Sequence, residues 1–188
     1  LQSGTQVSAY NVTTSAAVYG PRFDYDPSTL AQQNLQTYSQ YYGPGTTWTT
    51  QAAYFQQAPT IQAPDGTYTV WKFCEDTTTN TRVMAGINAV TGQQYNMSFY
   101  VKSAGNGRQV ELQGFGLGAG GYVPTVDPDA GTLSGNCPAG TALTYAGNGW
   151  YRLTVPFVAV NANSFYIYLL NNGASSWTGD GSSGVYIW

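Results

Sequence analysis

Short runs in which apolar and polar residues alternate recur through most of this chain. The longest spans residues 94–102, and others lie at 109–113, 151–157, 165–169 and 185–188. A period of two puts alternate side chains on opposite faces of a strand, so these runs predict half-buried β-strands. Their apolar positions form the expected core: Tyr95, Met97, Phe99, Val101, Val110, Leu112, Leu153, Val155, Phe165, Ile167 and Val185.

Turn signals separate the runs. Pro-Asp-Gly stands at 64–66, Gly-Asn-Gly at 105–107 and 147–149, and Asp-Gly at 180–181. Helical signals are weak, and the best candidate, residues 27–38, lacks a convincing apolar stripe. Many short strands with no helices between them are typical of an antiparallel sandwich or barrel. We therefore expect an all-β fold, an antiparallel two-sheet β-sandwich of the jelly-roll type.

The first 45 residues differ in kind from the rest. They are polar and rich in Tyr, Ser and Thr, with few alternating runs. We expect residues 1–45 to form an extended N-terminal arm or linker and residues 46–188 to form the sandwich. The polar start and the strand-like end lead us to expect a segment of a longer protein. No apolar run approaches the ~20 residues that a membrane helix needs, so we expect no membrane insertion.

Titratable side chains are scarce and aromatic ones abundant. Only 8% of the residues are charged and there is no histidine, whereas there are 16 tyrosines and 5 tryptophans. Soluble domains typically carry about 25% charged residues. Such a chain is poorly equipped for proton transfer, and without histidine a Ser-His-Asp triad cannot exist. It is well equipped to hold flat, polar, uncharged ligands such as sugars. A net charge of −3, with scattered basic residues, argues against a nucleic-acid partner.

The acidic residues do not form a recognisable catalytic pair. A glycosidase needs two carboxyl groups that face each other across a cleft. Nothing in the sequence marks such a cleft, so we expect no catalytic residues and a protein that is not an enzyme. The close acidic pairs are Asp24 with Asp26, Glu75 with Asp76, and Asp127 with Asp129.

The two cysteines, Cys74 and Cys137, lie far apart in the sequence, and neither belongs to a CxxC or Cys/His pattern. A zinc or redox site is therefore not expected. A disulfide and two unpaired, mostly buried thiols both remain open.

Several aromatic residues are predicted on strand faces turned away from the core, among them Tyr186 and Trp188. Aromatic rings stack on the apolar faces of sugar rings, while Arg and Gln side chains bond the hydroxyl groups. Burial against neighbouring chains explains the same faces equally well, since Tyr and Trp are enriched at interfaces. The candidate glycan-binding residues are Tyr100, Arg108, Gln109, Gln113, Trp150, Arg152, Tyr166 and Tyr168.

Eight short phrases occur in an order that resembles a jelly-roll module of tailed-bacteriophage virion proteins. They are GPRFDYDP at 20–27, NLQTYSQ at 34–40, Trp48, APDGT at 63–67, YVK at 100–102, GWYRL at 149–153, TGDG at 178–181 and YIW at 186–188. That module is similar to the carbohydrate-binding modules associated with xylanases. It usually sits at or near the end of tail fibres, tail spikes and other surface appendages.

The resemblance implies a non-enzymatic virion structural protein, an appendage module that recognises host-surface glycans. Its implied partners are other virion proteins and cell-surface polysaccharide, within a homo-oligomer that is most often a trimer. The implied location is the virion, assembled in the host cytoplasm and then extracellular. Related jelly rolls often carry a structural Ca²⁺, for which Glu75, Asp76 and Asp180 are the candidates, although turn and capping roles are favoured for them. No other cofactor is expected.

Two alternatives to this function remain. The first is a purely structural capsid or tail decoration protein that mediates virion assembly. The second is a glycan depolymerase.

Overall fold

The computed structural model describes residues 39–46, 48–79, 82–85, 89–114, 121–160 and 165–188, with only the backbone of 82–85. The chain divides into the units Leu1–Asn34 and Leu35–Trp188, and every described residue belongs to the second. The candidate helix at 27–38 and most of the expected arm lie outside the described residues. No helix in the described part is long and apolar enough to cross a membrane.

The described residues form twelve strands. In chain order they are β1 (Thr49–Gln51), β2 (Ala53–Gln57), β3 (Trp71–Glu75), β4 (Arg82–Ala85), β5 (Gln94–Ser103), β6 (Arg108–Gly114), β7 (Thr125–Asp127), β8 (Thr132–Ser134), β9 (Ala142–Gly147), β10 (Trp150–Val158), β11 (Phe165–Asn171) and β12 (Gly184–Ile187).

The strands pair into two six-stranded antiparallel sheets. The first sheet has the order β1-β4-β11-β6-β7-β8, and the second has the order β2-β3-β12-β5-β10-β9. The predicted all-β, two-sheet sandwich is confirmed. The Gly-Asn-Gly turns join β5 to β6 and β9 to β10, and Gly105 and Gly107 have φ values of 74° and 70°, which favour glycine.

The core lies between the sheets and follows the alternation seen in the sequence. Eight of the eleven expected core residues are buried, and Tyr95, Met97 and Phe99 pack against the core while half-buried. These three lie at positions 95–99 of β5, where β5 pairs with β10, whereas β12 pairs only with residues 101–103 of β5. The start of β5 therefore extends beyond its neighbour and is less completely covered.

Tyr42 belongs to the core although it lies in the segment expected to form the arm. It is only 6% exposed, and its ring centroid is 4.8 Å from that of Trp48 and 4.9 Å from that of Phe55. An aromatic ring in a polar stretch can bury apolar area without any alternating pattern to reveal it. The sandwich thus takes in a residue that precedes position 46.

The connection between β2 and β3, residues 58–70, folds back over the outer side of the second sheet. It closes through the Ala58 N–H, which donates to the Val70 carbonyl at 2.9 Å, and it contains the predicted turn at 64–66, where Gly66 has a φ of 88°. A second, smaller apolar cluster forms beneath it from Ala58, Ala63, Val70 and Trp150. We call residues 58–70 the covering loop.

Both cysteines are unpaired in the structure. Cys74 is buried on β3, and Cys137 is half-buried in the connection between β8 and β9. Of the two alternatives left by the sequence, the structure shows the free thiols. Burial raises the pKa of both thiols, which keeps them protonated near neutral pH.

Candidate functional site

The outer side of the first sheet presents two tyrosines beside a row of polar residues. On β11, Phe165, Ile167 and Leu169 are buried against the core, so the alternate residues Tyr166 and Tyr168 point outward. On the neighbouring strand β6, Gln113 lies opposite Tyr166 and Glu111 lies opposite Tyr168. We define the first outer face by the residues Gln109, Glu111, Gln113, Thr125, Asp127, Tyr166 and Tyr168.

The two tyrosine rings stand next to each other along β11. Their centroids are 6.2 Å apart and their planes are tilted by 45°. Residues i and i+2 of a strand share a face, which is why the local sequence alone produces this pair. Both side chains are half-buried, so each ring combines a fixed position with an accessible surface.

The carboxylate of Glu111 is held in place beside the rings. The Gln113 Nε2 donates to Glu111 Oε1 at 2.6 Å, and the Thr125 hydroxyl donates to Glu111 Oε2 at 3.2 Å. A carboxylate carries about four lone-pair sites, so two donors leave acceptor capacity for a ligand. The Gln109 Nε2 similarly donates to Asp127 Oδ2 at 3.1 Å, and its Oε1 accepts the Gly173 N–H at 2.9 Å.

Asp127 is ionised and structural at the edge of this face. Burial raises its pKa, but the Ala130 N–H, the Gln109 amide and the Asp129 N–H together outweigh burial and hold the pKa of Asp127 below its ordinary value.

On the other side of β11, Met84 of β4 lies opposite Tyr166 and Arg82 opposite Tyr168 in the backbone register. The backbone of β4 therefore flanks the tyrosine pair on the side opposite β6.

The predicted glycan-binding residues do not lie together. Four of them lie on the first outer face: Gln109, Gln113, Tyr166 and Tyr168. Tyr100 and Arg152 lie on the opposite side of the sandwich, on the outer side of the second sheet. There Arg152 stands directly across from Tyr100, and its Cζ lies 5.8 Å from the Tyr100 ring centroid. Two of the eight residues, Trp150 and Arg108, belong to neither open surface.

Trp150 is on the outer side of the second sheet, as predicted, but it is completely buried. The covering loop packs over it, and its indole Nε1 donates to the Gln62 carbonyl at 2.8 Å. A side chain with no accessible surface cannot stack on a sugar that arrives from solvent, so Trp150 leaves the candidate set. The alternation could not reveal this, because the covering residues are 88 positions away.

Arg108 is also misplaced by the sequence-based prediction, because it points between the sheets. It shares the inward phase of Val110 and Leu112, and it pairs in a bidentate way with Glu75, from Nε at 2.7 Å and Nη2 at 3.0 Å. Its Nη1 donates to Asn171 Oδ1 at 3.0 Å. The bonds to Glu75 raise the pKa of the Arg108 guanidinium more than burial lowers it. The phase of the alternation was a signal that could have excluded Arg108.

Glu75 is fully buried and its two oxygens are shared among several donors. Besides Arg108, the Trp177 Nε1 donates to Oε2 at 3.2 Å and the Asp180 N–H donates to Oε1 at 2.8 Å. Gly179 allows this close approach, since a Cβ there would overlap the Asp76 carbonyl oxygen. The TGDG phrase is thus anchored on a buried ion pair between β3 and β6.

The three calcium candidates mainly cap their own turns. Asp76 Oδ1 accepts the Thr78 N–H and hydroxyl, and Asp180 accepts the N–H groups of Ser182 and Ser183 and the Ser183 hydroxyl. Within the described ranges no three acidic, cysteine or histidine side chains form a group that could hold a metal. The donor set does not fit Ca²⁺ well, because donors already occupy these carboxylates. The calcium ion stays a prediction.

Glu111 and Thr125 were absent from the set of glycan-binding residues predicted from the sequence. Glu111 lies between two residues that were chosen, Gln109 and Gln113, in the same outward phase, so the alternation itself could have found it. Thr125 is brought to Glu111 only by the pairing of β6 with β7, which the sequence does not encode locally.

No protein-family model matches this chain, and neither does any curated protein. Solved structures do match. The CBM22-1 xylan-binding domain of Paenibacillus barcinonensis Xyn10C is 12% identical over 77% of this chain and 83% of that domain, with a TM-score of 0.40. TmCBM61, solved in complex with β-1,4-galactotriose, is 11% identical over 84% of this chain and 91% of its own, also with a TM-score of 0.40. At these values the likeness carries no argument about a ligand, and nothing in the comparisons links the chain to virion proteins.

Proposed function

We propose that this protein is a non-enzymatic glycan-binding module and that the first outer face holds the saccharide. The observation that carries the proposal is the tyrosine pair on β11 with the fixed Glu111 carboxylate opposite it on β6. Aromatic rings take up the apolar faces of sugar rings, and a few well-placed polar groups fix their hydroxyls. Two adjacent rings suit two successive sugars of a chain.

The polar groups of the face are arranged before a ligand arrives. Glu111 is oriented by Gln113 and Thr125, and Gln109 is oriented by Asp127 and Gly173. Side chains that are already ordered lose little rotamer freedom on binding, which removes about 0.5–1.5 kcal/mol of cost for each of them. This preorganisation supports recognition of a hydroxyl-rich, neutral ligand.

A binding role is favoured over hydrolysis by the state of the Asp127 carboxyl group. A glycosidase keeps one carboxyl group protonated near neutral pH by raising its pKa. Asp127, the acid nearest Glu111 in the register, has a lowered pKa instead. Asp127 is therefore not suited to serve as the general acid of a depolymerase.

The ordered phrases of the sequence support a setting on a bacteriophage appendage, where the module would contact host-surface polysaccharide and neighbouring virion proteins. We include a homo-oligomer, a trimer by that resemblance, and an extracellular location in the proposal. Labelling intact particles with antibodies against the purified chain tests this setting. Label confined to an appendage supports it, and particles without label contradict it.

Binding of purified chain to an array of neutral and host-surface polysaccharides tests the glycan site. Tyr168→Ala is expected to weaken binding about tenfold, which corresponds to about 1.4 kcal/mol. Tyr68→Ala is the matched control, because Tyr68 is 60% exposed on the covering loop, on the other side of the molecule. An array without hits, or equal losses in both variants, would contradict the proposal. Released oligosaccharide that disappears in Glu111→Gln would favour the depolymerase.

A further inference from the structure

The outer side of the second sheet carries charges of one sign. Its outward strand positions include Lys72 on β3, Lys102 on β5 and Arg152 on β10, half of all basic residues in the chain. None of the outward positions on its strands is acidic. The first outer face, in contrast, contains Glu111 and Asp127. We define the second outer face by the residues Lys72, Ser98, Tyr100, Lys102, Arg152, Tyr186 and Trp188.

The register brings these cations close together. Tyr186 lies between Lys72 and Lys102 in one row across the sheet, and Arg152 lies one strand and two residues away from Lys102. With strands about 4.8 Å apart and a rise of about 3.4 Å per residue, Lys102 lies roughly 10 Å from Lys72 and roughly 8 Å from Arg152, whereas Lys72 and Arg152 are roughly 16 Å apart. Within the part of the chain that the structure describes, the hydrogen bonds of Lys72 and Lys102 go to backbone carbonyls alone, those of Ser182 and Asn148. Among the described residues, the one ion pair is Arg108 with Glu75, so these three charges are not neutralised by salt bridges.

Arg152 is the most accessible of the three and its orientation is set. Its guanidinium lies over the Tyr100 ring, and its Nη2 donates to the Ser98 hydroxyl at 3.1 Å. A guanidinium has five N–H donors in a planar fork, so several donors remain for a ligand. Because this fork is planar, the guanidinium pairs with two oxygens of a carboxylate or sulfate group through two parallel hydrogen bonds.

The rings of Trp188 and Tyr100 lie beside this guanidinium and are held in place by their neighbours. Trp188 pairs with Tyr100 through backbone bonds, and the two ring centroids are 5.3 Å apart in an edge-to-face arrangement. The Trp188 Nε1 donates to the Thr69 hydroxyl of the covering loop at 3.0 Å. Trp188 and Tyr100 are half-buried, so part of each ring remains accessible.

From this combination we infer that the second outer face binds an anionic saccharide, one that carries carboxylate or sulfate groups. The sugar ring packs on Trp188 and Tyr100, and its acidic group pairs with Arg152 within the positive field of Lys102; Lys72 lies farther along the face and could meet a second acidic group of a longer chain. Two acids lie near the edges of this face. The Thr67 N–H and hydroxyl occupy Oδ1 of Asp65 in the covering loop, and Asp180 Oδ1 accepts the N–H of Ser182, the residue whose carbonyl Lys72 bonds. The inference goes beyond the proposed function, because it concerns the opposite sheet and a ligand of different charge.

Matched acidic and neutral probes test the inference in solution. Oligogalacturonides are compared with their fully methyl-esterified forms, and dextran sulfate is compared with dextran of the same length. We expect the wild-type chain to bind at least one acidic probe at least about tenfold more tightly than its neutral partner, because a charge-assisted bond is lost in the latter. The two acidic arms distinguish carboxylate from sulfate. Affinity is expected to fall as ionic strength rises.

Variants on the two faces separate this inference from the proposed function. Arg152→Gln is expected to abolish the preference for the acidic probe, and Arg152→Lys to keep part of it. Glu111→Gln, on the other face, is expected to leave it unchanged. Arg152 is exposed, so an unchanged unfolding midpoint is expected and is checked for each variant. Equal binding of acidic and neutral probes, or an acidic preference that survives in Arg152→Gln, would overturn the inference.

Discussion

The two outer faces of the sandwich come from the same kind of sequence and end in different states. Both are built from outward positions of alternating strands that carry tyrosine next to polar residues. On the first outer face the tyrosine pair remains half-buried, beside a fixed carboxylate. On the outer side of the second sheet, the covering loop packs over Trp150 and forms the second apolar cluster with it. Only the residues beside this cluster remain accessible there.

Strand phase thus decides which way a residue points but not what covers it. The same outward phase holds Trp150 with no exposed surface and Arg152 with an exposed guanidinium, two residues apart on β10. Their exposure differs because the covering loop, a long connection that folds back over its own sheet, packs over Trp150 and leaves Arg152 exposed. Substitutions at buried and at exposed positions test this contrast.

Removing the ring of Trp150 is expected to have the largest effect on stability. Trp150→Ala deletes a fully buried indole and its bond to Gln62, and should lower the free energy of unfolding by about 4 kcal/mol. Tyr168→Ala on the first outer face should cost about 1 kcal/mol, because its ring is only half-buried. Urea unfolding of both variants measures the contrast. Similar losses would show that the two faces are equally covered.

Breaking the ion pair between the sheets is expected to weaken the whole sandwich. Arg108→Ala leaves the Glu75 carboxylate buried without its cation and should cost about 3 kcal/mol of unfolding free energy. The double variant Glu75→Gln/Arg108→Met should lose less than Arg108→Ala, because no buried charge is left over. A double variant that is less stable than the single one would contradict this account. Chemical denaturation of the three proteins measures it.

The hydroxyl contact that holds Trp188 to the covering loop should contribute a smaller amount. Thr69→Val keeps the shape of the side chain but removes the acceptor of the Trp188 Nε1 bond, and should cost about 1 kcal/mol. Thr60→Val, at an exposed turn of the same loop, is the control and should change stability by less than about 0.5 kcal/mol. Tryptophan fluorescence during unfolding reports on both variants. No loss in Thr69→Val would show that the bond between Trp188 and Thr69 does not help to hold the loop.

Asp180 should make stability depend on pH in the acid range. The hydroxyl and N–H of Ser183 and the N–H of Ser182 lower the pKa of Asp180. Its contribution is therefore present above about pH 4, the ordinary Asp value, and is lost as pH falls toward the lower pKa of the folded state. Because the group is exposed, we expect less than about 1 kcal/mol. In Asp180→Asn, the unfolding midpoint should depend less on pH than in the wild type between about pH 5 and about pH 2.5. An unchanged slope would mean that other acids dominate.

Local pattern accounts for much of the fold. Alternation predicted the strands, the inward phase of residues such as Val101, Leu112 and Val185, and the outward phase of Tyr166 and Tyr168. Glycine-containing turns predicted where the hairpins reverse. These features depend on a few consecutive residues, because a strand turns its side chains over with a period of two and a tight turn needs a positive φ at a fixed position.

Tertiary structure alone decided how the candidate residues are grouped. Trp150 is buried by Gln62, 88 residues away, and Glu75 is shared among Arg108, Trp177 and Asp180, up to 105 residues away. One list of sugar-binding residues thereby became two opposite faces, one buried tryptophan and one ion pair between the sheets. The physical reason is that phase is a property of each strand, whereas burial and pairing depend on which distant segments the sheet order and the long connections bring together.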